Sequence, residues 1–473
     1  MPAPGVAVPG LSEASVIHVT NENAGLARAL VAALKREGLA AKSAKTLPDD
    51  ARAVILTTGL ADIEAADMHW AALAHAKQLA PSFTKTGGTL IVLQDTGGGF
   101  RPGEDASSGG GLSGLAKTAA HEWPSACVRV IDIDTSTEAS RVIAERIVSE
   151  LMQGGDTSEI GLAADGQRLA PVLVDLDADE LTKRDTQAAS TWLVTGGGRG
   201  VTAACVIAQA KRQGGQFALL GRSKLVDWPS DIEFVDDVNA LRGALAKNMA
   251  GKGKKPIPSE INKRASTLMA SREVRATLAA ITAAGGKARY IACDITNADD
   301  VADAVREAET VFGRIDGLIH GAGVLADKAI ADKTREQFDR VFLTKTKGLE
   351  IVLDALGKRT LKSIILFSSV AARFGNAGQV DYAMANEMLN RAAWSLKAAR
   401  PDTHVMSLNW GPWDGGMVTP ALRTHFESAG ISLIPIEAGA DLFASLVNSA
   451  DAGIELCIGS GLIGSESGAG HGV

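Results

Sequence analysis

Tyr382 is one of two tyrosines in this chain of 473 residues, and its neighbours are of the types that proton transfer uses. Ser369 precedes it by thirteen residues. Asn386 follows it by four, one turn along the same helical face. A free phenol has a pKa of about 10, so a nearby cation eases its proton donation. Two lysines stand upstream in Lys345-Thr346-Lys347-Gly348, with Lys345 twenty-four residues before Ser369. Farther upstream, Thr195-Gly196-Gly197-Gly198-Arg199-Gly200-Val201 closes an apolar run. Its glycines allow a tight turn and keep side chains off a pyrophosphate, and the next helix offers unpaired N–H groups to that anion. Together these groups suit proton delivery to a nascent oxyanion beside a dinucleotide.

A βαβ series must hold them in place. Strands are expected at 191–195, 216–220, 288–292 and 317–320, at the run ending in Ser407-Leu408-Asn409-Trp410, and at 455–459, with the first helix at 199–213. The same plan occurs earlier: Val16-Ile17-His18-Val19-Thr20-Asn21-Glu22 parallels Trp192-Leu193-Val194-Thr195-Gly196-Gly197-Gly198. In that copy Asn21 and Glu22 replace glycines, Glu22 adds negative charge where a phosphate would lie, and no tyrosine occurs before Tyr290. The expected fold is therefore α/β, with two Rossmann-like halves built on doubly wound parallel sheets. Residues 11–185 form a structural half and 186–462 a catalytic one, joined through a polar stretch near 182–190. Residues 1–10 read as a Pro/Gly/Ala-rich linker, and the Gly/Ser-rich 463–473 as a disordered tail.

The second strand ends in Gly221-Arg222-Ser223. An acidic residue at this point would bind the ribose hydroxyls of NAD, whereas Arg222 suits a 2′-phosphate, with Arg199 adding charge. NADPH is the expected cofactor. A net charge of −7 argues against nucleic acid as partner, and no long apolar run marks a membrane span or signal peptide. Cys127, Cys205, Cys293 and Cys457 lack metal-type spacing and read as buried free thiols of a cytoplasmic protein, with no metal expected.

The glycine turn with Ser369 and Tyr382 at this interval resembles the short-chain dehydrogenases/reductases. The Tyr-x-x-x-Asn ending, in place of the usual Tyr-x-x-x-Lys, resembles the ketoreductase domains of polyketide and polyunsaturated fatty acid synthases. In this resemblance Tyr382 donates the proton, Ser369 binds the carbonyl oxygen, Lys345 of the Lys-x-x-Gly segment lowers the phenol pKa, and Asn386 orders relay water and ribose. Lys347 is the competing lysine. Thr195 to Val201, Arg222 and Ser223 fall at the cofactor's phosphates, Asp294 and Ile295 at adenine, Gly321-Ala322-Gly323 at the ribose, and Gly411-Pro412 at the nicotinamide. His320 reads as structural. Thr202 departs from the family's TGxxxGxG pattern, which ends in glycine. Gly416-Met417-Val418 would open a lid over the substrate.

The implied substrate is a β-ketoacyl thioester on an acyl carrier protein, within a set of other synthase domains. Asp327 keeps the last residue of the Leu-Asp-Asp signature of D-selective members, while Phe374 stands where the opposite class has Trp; with Trp413 they are the expected stereocontrol residues. Leu112 to Pro124 resembles an element of the same ketoreductases, or is an ordinary helix ended by proline. An insert at about 224–268, with the basic run Lys252-Gly253-Lys254-Lys255, is either a solvated helical insertion or a docking surface for an acidic carrier protein or a neighbouring domain, the next helix resuming near Ala270. Two other readings remain: a reductase of free small ketones, and a silent nucleotide-binding module.

Overall fold

The computed structural model describes residues 1–101, 109–136, 138–177, 181–182, 190–415, 423–424, 431–450 and 452–459. The proposed lid at Gly416-Met417-Val418, most of the 182–190 junction and the 463–473 tail lie outside the described residues.

The first sheet holds seven strands: β1 (Ile17–Thr20), β2 (Ala41–Ala44), β3 (Ala53–Gly59), β4 (Gly88–Gln94), β5 (Ala126–Ile133), β6 (Glu159–Leu162) and β7 (Arg168–Leu169). Their order is 2-1-3-4-5-6-7, parallel except for the final β6–β7 pair. The second sheet contains β8 (Thr191–Thr195), β9 (Gln216–Gly221), β10 (Lys287–Ala292), β11 (Gly317–His320), β12 (Ser363–Ser369), β13 (His404–Trp410) and β14 (Glu455–Ile458). It runs 10-9-8-11-12-13-14, all parallel. Strands buried on both faces need apolar residues throughout, as Ile-Ile-Leu-Phe in β12 supplies. The two-half α/β reading holds.

Helices cover both sheets: α1 (Ala24–Arg36), α2 (Ala65–Thr86), α3 (Leu112–Glu122), α4 (Ser140–Gln153), α5 (Gly200–Gln213), α6 (Val238–Gly251), α7 (Pro258–Ala283), α8 (Ala298–Phe312), α9 (Arg335–Leu356), α10 (Val370–Phe374), α11 (Val380–Ala399) and α12 (Ile436–Val447). One apolar core runs across the halves. Leu112, Leu115 and Ala116 of α3 and Leu73 of α2 pack with Phe338 and Phe342 of α9 and Val380 and Met384 of α11. Small residues let α3 and α11 touch backbone to backbone, since a Cβ on Gly114 would lie 2.7 Å from the Ala383 carbonyl carbon.

Three expectations change. Residues 1–10 are not a free linker. The amides of Val6 and Val8 donate to Gln153 O (3.2 Å) and Leu151 O (2.9 Å), and Val8 and Leu11 are buried in the core of the first half, so apolar burial outweighs the chain's Pro/Gly flexibility. The helix after the insert begins at Pro258 rather than near Ala270. Proline at its first turn needs no N–H partner, and no breaker interrupts the run to Ala283. α6 and the start of α7 then share a small core of Ile232, Leu241, Leu245, Ile261, Ala265 and Leu268. Of the four free thiols only Cys205 and Cys293 are buried; Cys127 and Cys457 are partly exposed. No helix among the described residues is long and apolar enough to cross a membrane.

Candidate active site

The second sheet reverses direction of winding between β8 and β11, and a crevice at the carboxyl ends of such strands is where α/β folds bind ligands. Here β8 leads into the glycine turn, β11 into Gly321-Ala322-Gly323, and β12 ends at Ser369. Gly196 and Gly200 have φ of 73° and 66°, which only glycine adopts freely. A Cβ on Gly196 would sit 2.9 Å from Ala322, so the turn and the Gly321 loop are in backbone contact. Thr202 is accommodated by a second glycine: its Oγ1 lies 2.5 Å from where a Cβ on Gly321 would be.

These features suit a dinucleotide. The N-terminus of α5 carries no side-chain cap and no acidic residue in its first turn, leaving its N–H groups for an anion. The first half differs at the matching point. Asn23 Oδ1 accepts the Leu26 amide (3.1 Å) and caps α1, while Glu22 binds His75 Nε2 (2.7 Å) and Thr57 Oγ1 (3.1 Å). Its own side chains occupy the place a phosphate would need.

Arg199 and Arg222 are both exposed on the rim beside the turn. Arg199 pairs with Glu273 of α7 at 3.8 Å. Asp294 accepts from the Thr296 amide (3.0 Å) and hydroxyl (2.7 Å), and those bonds, helped by the charge of Arg222, hold its carboxyl below the ordinary range despite some burial. Ile295 is buried against Gly348 of α9. Tyr290 links these pieces: its ring lies 3.2 Å from where a Cβ on Gly198 would be, and its hydroxyl donates to Ser223 O (2.7 Å).

The proton-handling groups converge. Lys345 is 3% exposed, its Nζ donates to Phe367 O (2.8 Å), and that nitrogen lies 5.6 Å from the centroid of the Tyr382 ring. Burial pushes the lysine pKa down to about 7. Lys347 instead faces outward and pairs with Glu350 at 2.6 Å. Burial raises the Tyr382 phenol, polar contacts from Asn386 and Ser369 work against that rise, and the Asp327 carboxylate adds to it. Asn386 donates from Nδ2 to Tyr382 O (2.8 Å), and its buried Oδ1 has no partner among the described residues. Ser369 caps α10 by accepting the Ala371 amide (3.2 Å). Behind them Thr195 Oγ1 contacts His320 Nδ1 (3.0 Å), and His320 Nε2 contacts Lys345 O (3.0 Å). Burial, then the Lys345 charge, lowers the His320 pKa to about 3, so it is a neutral structural link.

Two of the expected stereocontrol residues have these surroundings. Phe374 ends the short α10 and lines a cavity with Ala116, Lys117, Ala120 and His121 of α3. Trp413 is 5% exposed in the core, its ring tilted against Trp410 (4.8 Å between centroids) and lying over Gly439 of α12. Gly411 and Pro412 are held by Ile458 O and Ile434 N (2.7 and 2.8 Å), which carries the chain back over the strand ends. Asp327 accepts from Gln379 Nε2 (3.1 Å), and its charge is felt at the Tyr382 phenol.

Sequence reasoning gives no role to three groups that brace the site. Lys333, fully buried, bridges Asp381 (2.9 Å) and Ala326 O (2.7 Å), and Asp381 in turn accepts the Tyr382 amide (2.9 Å). An acid immediately before the key tyrosine is the available signal. Tyr290 and Glu122 are the others; the first is conspicuous only as the second tyrosine, and the second only by its place before Trp123-Pro124.

Residues 190–415 match the model of the KR domain family. The chain is 40% identical over 349 residues, 72% of its length, to a polyunsaturated fatty acid synthase polypeptide of Thraustochytrium sp., and 34% identical over 28% of its length to polyketide synthase PksN of Bacillus subtilis. It spans only 12% and 2% of those two proteins. Among solved structures it is similar to the ketoreductase from the first module of phoslactomycin biosynthesis in Streptomyces sp. HK803, with TM-score 0.69, 21% identity, and coverage of 97% of this chain and 91% of that one. That likeness speaks to the fold. The family match and the relatives make residues 190–415 a KR domain of the kind found in polyketide and polyunsaturated fatty acid synthases.

Proposed function

We propose that the chain reduces a β-ketoacyl thioester, presented on an acyl carrier protein by neighbouring synthase domains, to the D-configured (3R) alcohol, with NADPH as reductant. The observation that carries this is the buried Lys345 ammonium over the Tyr382 ring, with Ser369 and Asn386 in polar contact with the same tyrosine.

The residues divide the work. Thr195 to Val201 and the uncapped end of α5 would hold the pyrophosphate, Arg222 and Ser223 the 2′-phosphate with Arg199 beside them, and Asp294 and Ile295 the adenine. Gly321 to Gly323 would take the ribose, and Gly411-Pro412 the nicotinamide side. NADPH, once bound, supplies the hydride. Ser369 then binds the carbonyl oxygen and Tyr382 protonates it, while Lys345 steadies the phenolate left behind. A lysine with pKa near 7 is about half charged at neutral pH, so it can give that charge and exchange its proton. Asn386, with Oδ1 free and Nδ2 on the Tyr382 carbonyl, suits the return of a proton through water. Asp327, on the wall beside the phenol, favours the D product.

The test is NADPH oxidation with carrier-linked and free β-ketoacyl thioester, with chiral analysis of the alcohol. The expected results are a higher kcat/KM for the carrier-linked form, mostly 3R product, and a fall of about 10²-fold or more in kcat for Tyr382→Phe. Equal use of free and carrier-linked substrates would place the chain among reductases of small ketones. Undiminished turnover by Tyr382→Phe would remove the proton donor assigned here.

A further inference from the structure

The half without catalytic residues reaches the active-site walls through α2, whose Lys77 Nζ donates to Ala331 O (3.2 Å) and to Lys333 O, and through the end of α3. Glu122 Oε2 accepts the Ile330 amide at 2.8 Å and Oε1 accepts the Gly378 amide at 2.9 Å. Ile330 closes the loop that carries Asp327, and Gly378 lies four residues before Tyr382. The two segments also meet directly, Lys328 N donating to Gly378 O at 2.8 Å. One residue back, His121 Nε2 contacts Phe374 O at 2.8 Å.

A carboxylate at a helix C-terminus faces the negative end of the helix dipole, so on α3 alone Glu122 is in an unfavourable place. Two charge-assisted bonds from backbone N–H groups offset that, and each is stronger than a bond between neutral partners. Trp123, buried and edge-on to Phe83 at 5.4 Å, anchors the next residue and fixes where the carboxylate stands. Gly378 has φ of 80°, so its amide is presented from a turn that other residues adopt with strain.

We propose that Glu122 is a positioning residue for the reduction: from the non-catalytic half, its carboxylate staples the Asp327 loop to the segment entering Tyr382 and so sets the substrate gap and its facial selectivity. The substrate part rests on the reading above; the staple itself does not. Loss of the carboxylate removes one bond from each wall at once, leaves the Lys328–Gly378 and Lys333–Asp381 links in place, and does not touch the glycine turn, Arg222 or the α5 terminus.

The experiment compares the wild-type chain with Glu122→Gln, whose amide turns one acceptor into a donor facing an N–H, and with Glu122→Asp, which keeps the charge one methylene short. Amide hydrogen exchange of 324–333 and 375–379, NADPH affinity by fluorescence, thioester kcat and KM, and the alcohol enantiomer ratio are measured. The expected result is faster exchange in both segments and NADPH affinity within about twofold. Thioester KM should rise by about fivefold or more, as for a lost charged hydrogen bond, and the minor enantiomer should increase. Glu122→Asp should be intermediate, and it carries the comparison if the Gln variant does not fold. Unchanged exchange in both segments, or changed exchange with unaltered KM and enantiomer ratio, overturns the proposal. If the wild-type chain reduces no thioester, exchange alone decides for or against the staple, and only the proposed function has failed.

Discussion

Replacing Lys345 by methionine separates a catalytic lysine from a structural one, because the two give opposite signs. The site holds the ammonium away from water, and the drop in pKa from 10.5 to about 7 amounts to about 5 kcal/mol against the charged form. Methionine has similar length and no charge. It forfeits the bond from Nζ to Phe367 O, worth about 1.5–3 kcal/mol for a charged donor. The net expectation below pH 7 is a gain in stability of roughly 2–4 kcal/mol. Between pH 7 and 10.5 the unfolded wild-type chain keeps a proton on this lysine that the folded chain has released. Protons bound to the unfolded state outnumber those on the folded one, so wild-type stability climbs with pH and the advantage of the variant shrinks. Urea or thermal unfolding of both proteins at pH 6 and pH 9 reads this difference, other titrating groups being common to both. Turnover should fall by about 10²-fold or more at either pH if the charge serves the phenol. A variant that is less stable than wild type at pH 6, or that reduces thioester at near wild-type rate, would refute the reasoning.

Two further substitutions test the frame around the site. Tyr290→Phe removes one hydroxyl bond to Ser223 O and should raise the NADPH KM about fivefold, the worth of one neutral hydrogen bond, while kcat and the NADH KM stay level; equal changes for both cofactors would count against a role in placing the 2′-phosphate turn. Gly114→Ala would stabilise an isolated helix by about 1 kcal/mol, yet here the new Cβ meets the Ala383 and Met384 backbone at 2.7 Å, so a loss of about 1–3 kcal/mol and a lower kcat are expected. A raised melting temperature for that variant would show that α3 and α11 are less tightly apposed.

The second half was open to sequence reading because its signals are local. An apolar run followed by a glycine turn gives β8 and α5, and Ser369 and Tyr382 belong to β12 and α11, which only the short α10 separates in the chain. Side-chain direction is not local. Phe374 has the expected count back from Tyr382, and it shares a cavity with α3, a neighbour more than 250 residues away that no spacing reveals. Trp413 follows the sixth strand of its sheet as expected and is then drawn into the core by Gly439 and Trp410. Residues 1–10 look loose because Pro and Gly dominate their composition, yet Val8 and Leu11 decide their placement.

The same long-range logic explains why a half without its own chemistry stays attached. Around α11, at about 100° per residue, Asn386 lies about 40° from Tyr382, whereas Glu387 and Arg391 lie about 140° and 180° away. The catalytic face and the charged face are thus opposed. On the far side Arg391 pairs with Glu387 (3.0 Å) and Glu455 (3.1 Å), Ser113 Oγ donates to Glu387 (3.1 Å), and Lys117 stands 3.8 Å from it. Burial works to raise the Glu387 pKa, but the three cations Lys117, Arg391 and Arg373 hold it down, and burial with neighbouring cations lowers that of Lys117. Buried ion pairs add little net stability over apolar packing, but they are unforgiving of misplacement, because a slip leaves a charge unpaired. Such a network is therefore poorly explained as glue and well explained as an index for the rotation of α11. A turn of one residue about that axis would bring Ala383 toward the Lys345 side and carry the phenol away from it, and α3 supplies the groups that make this costly.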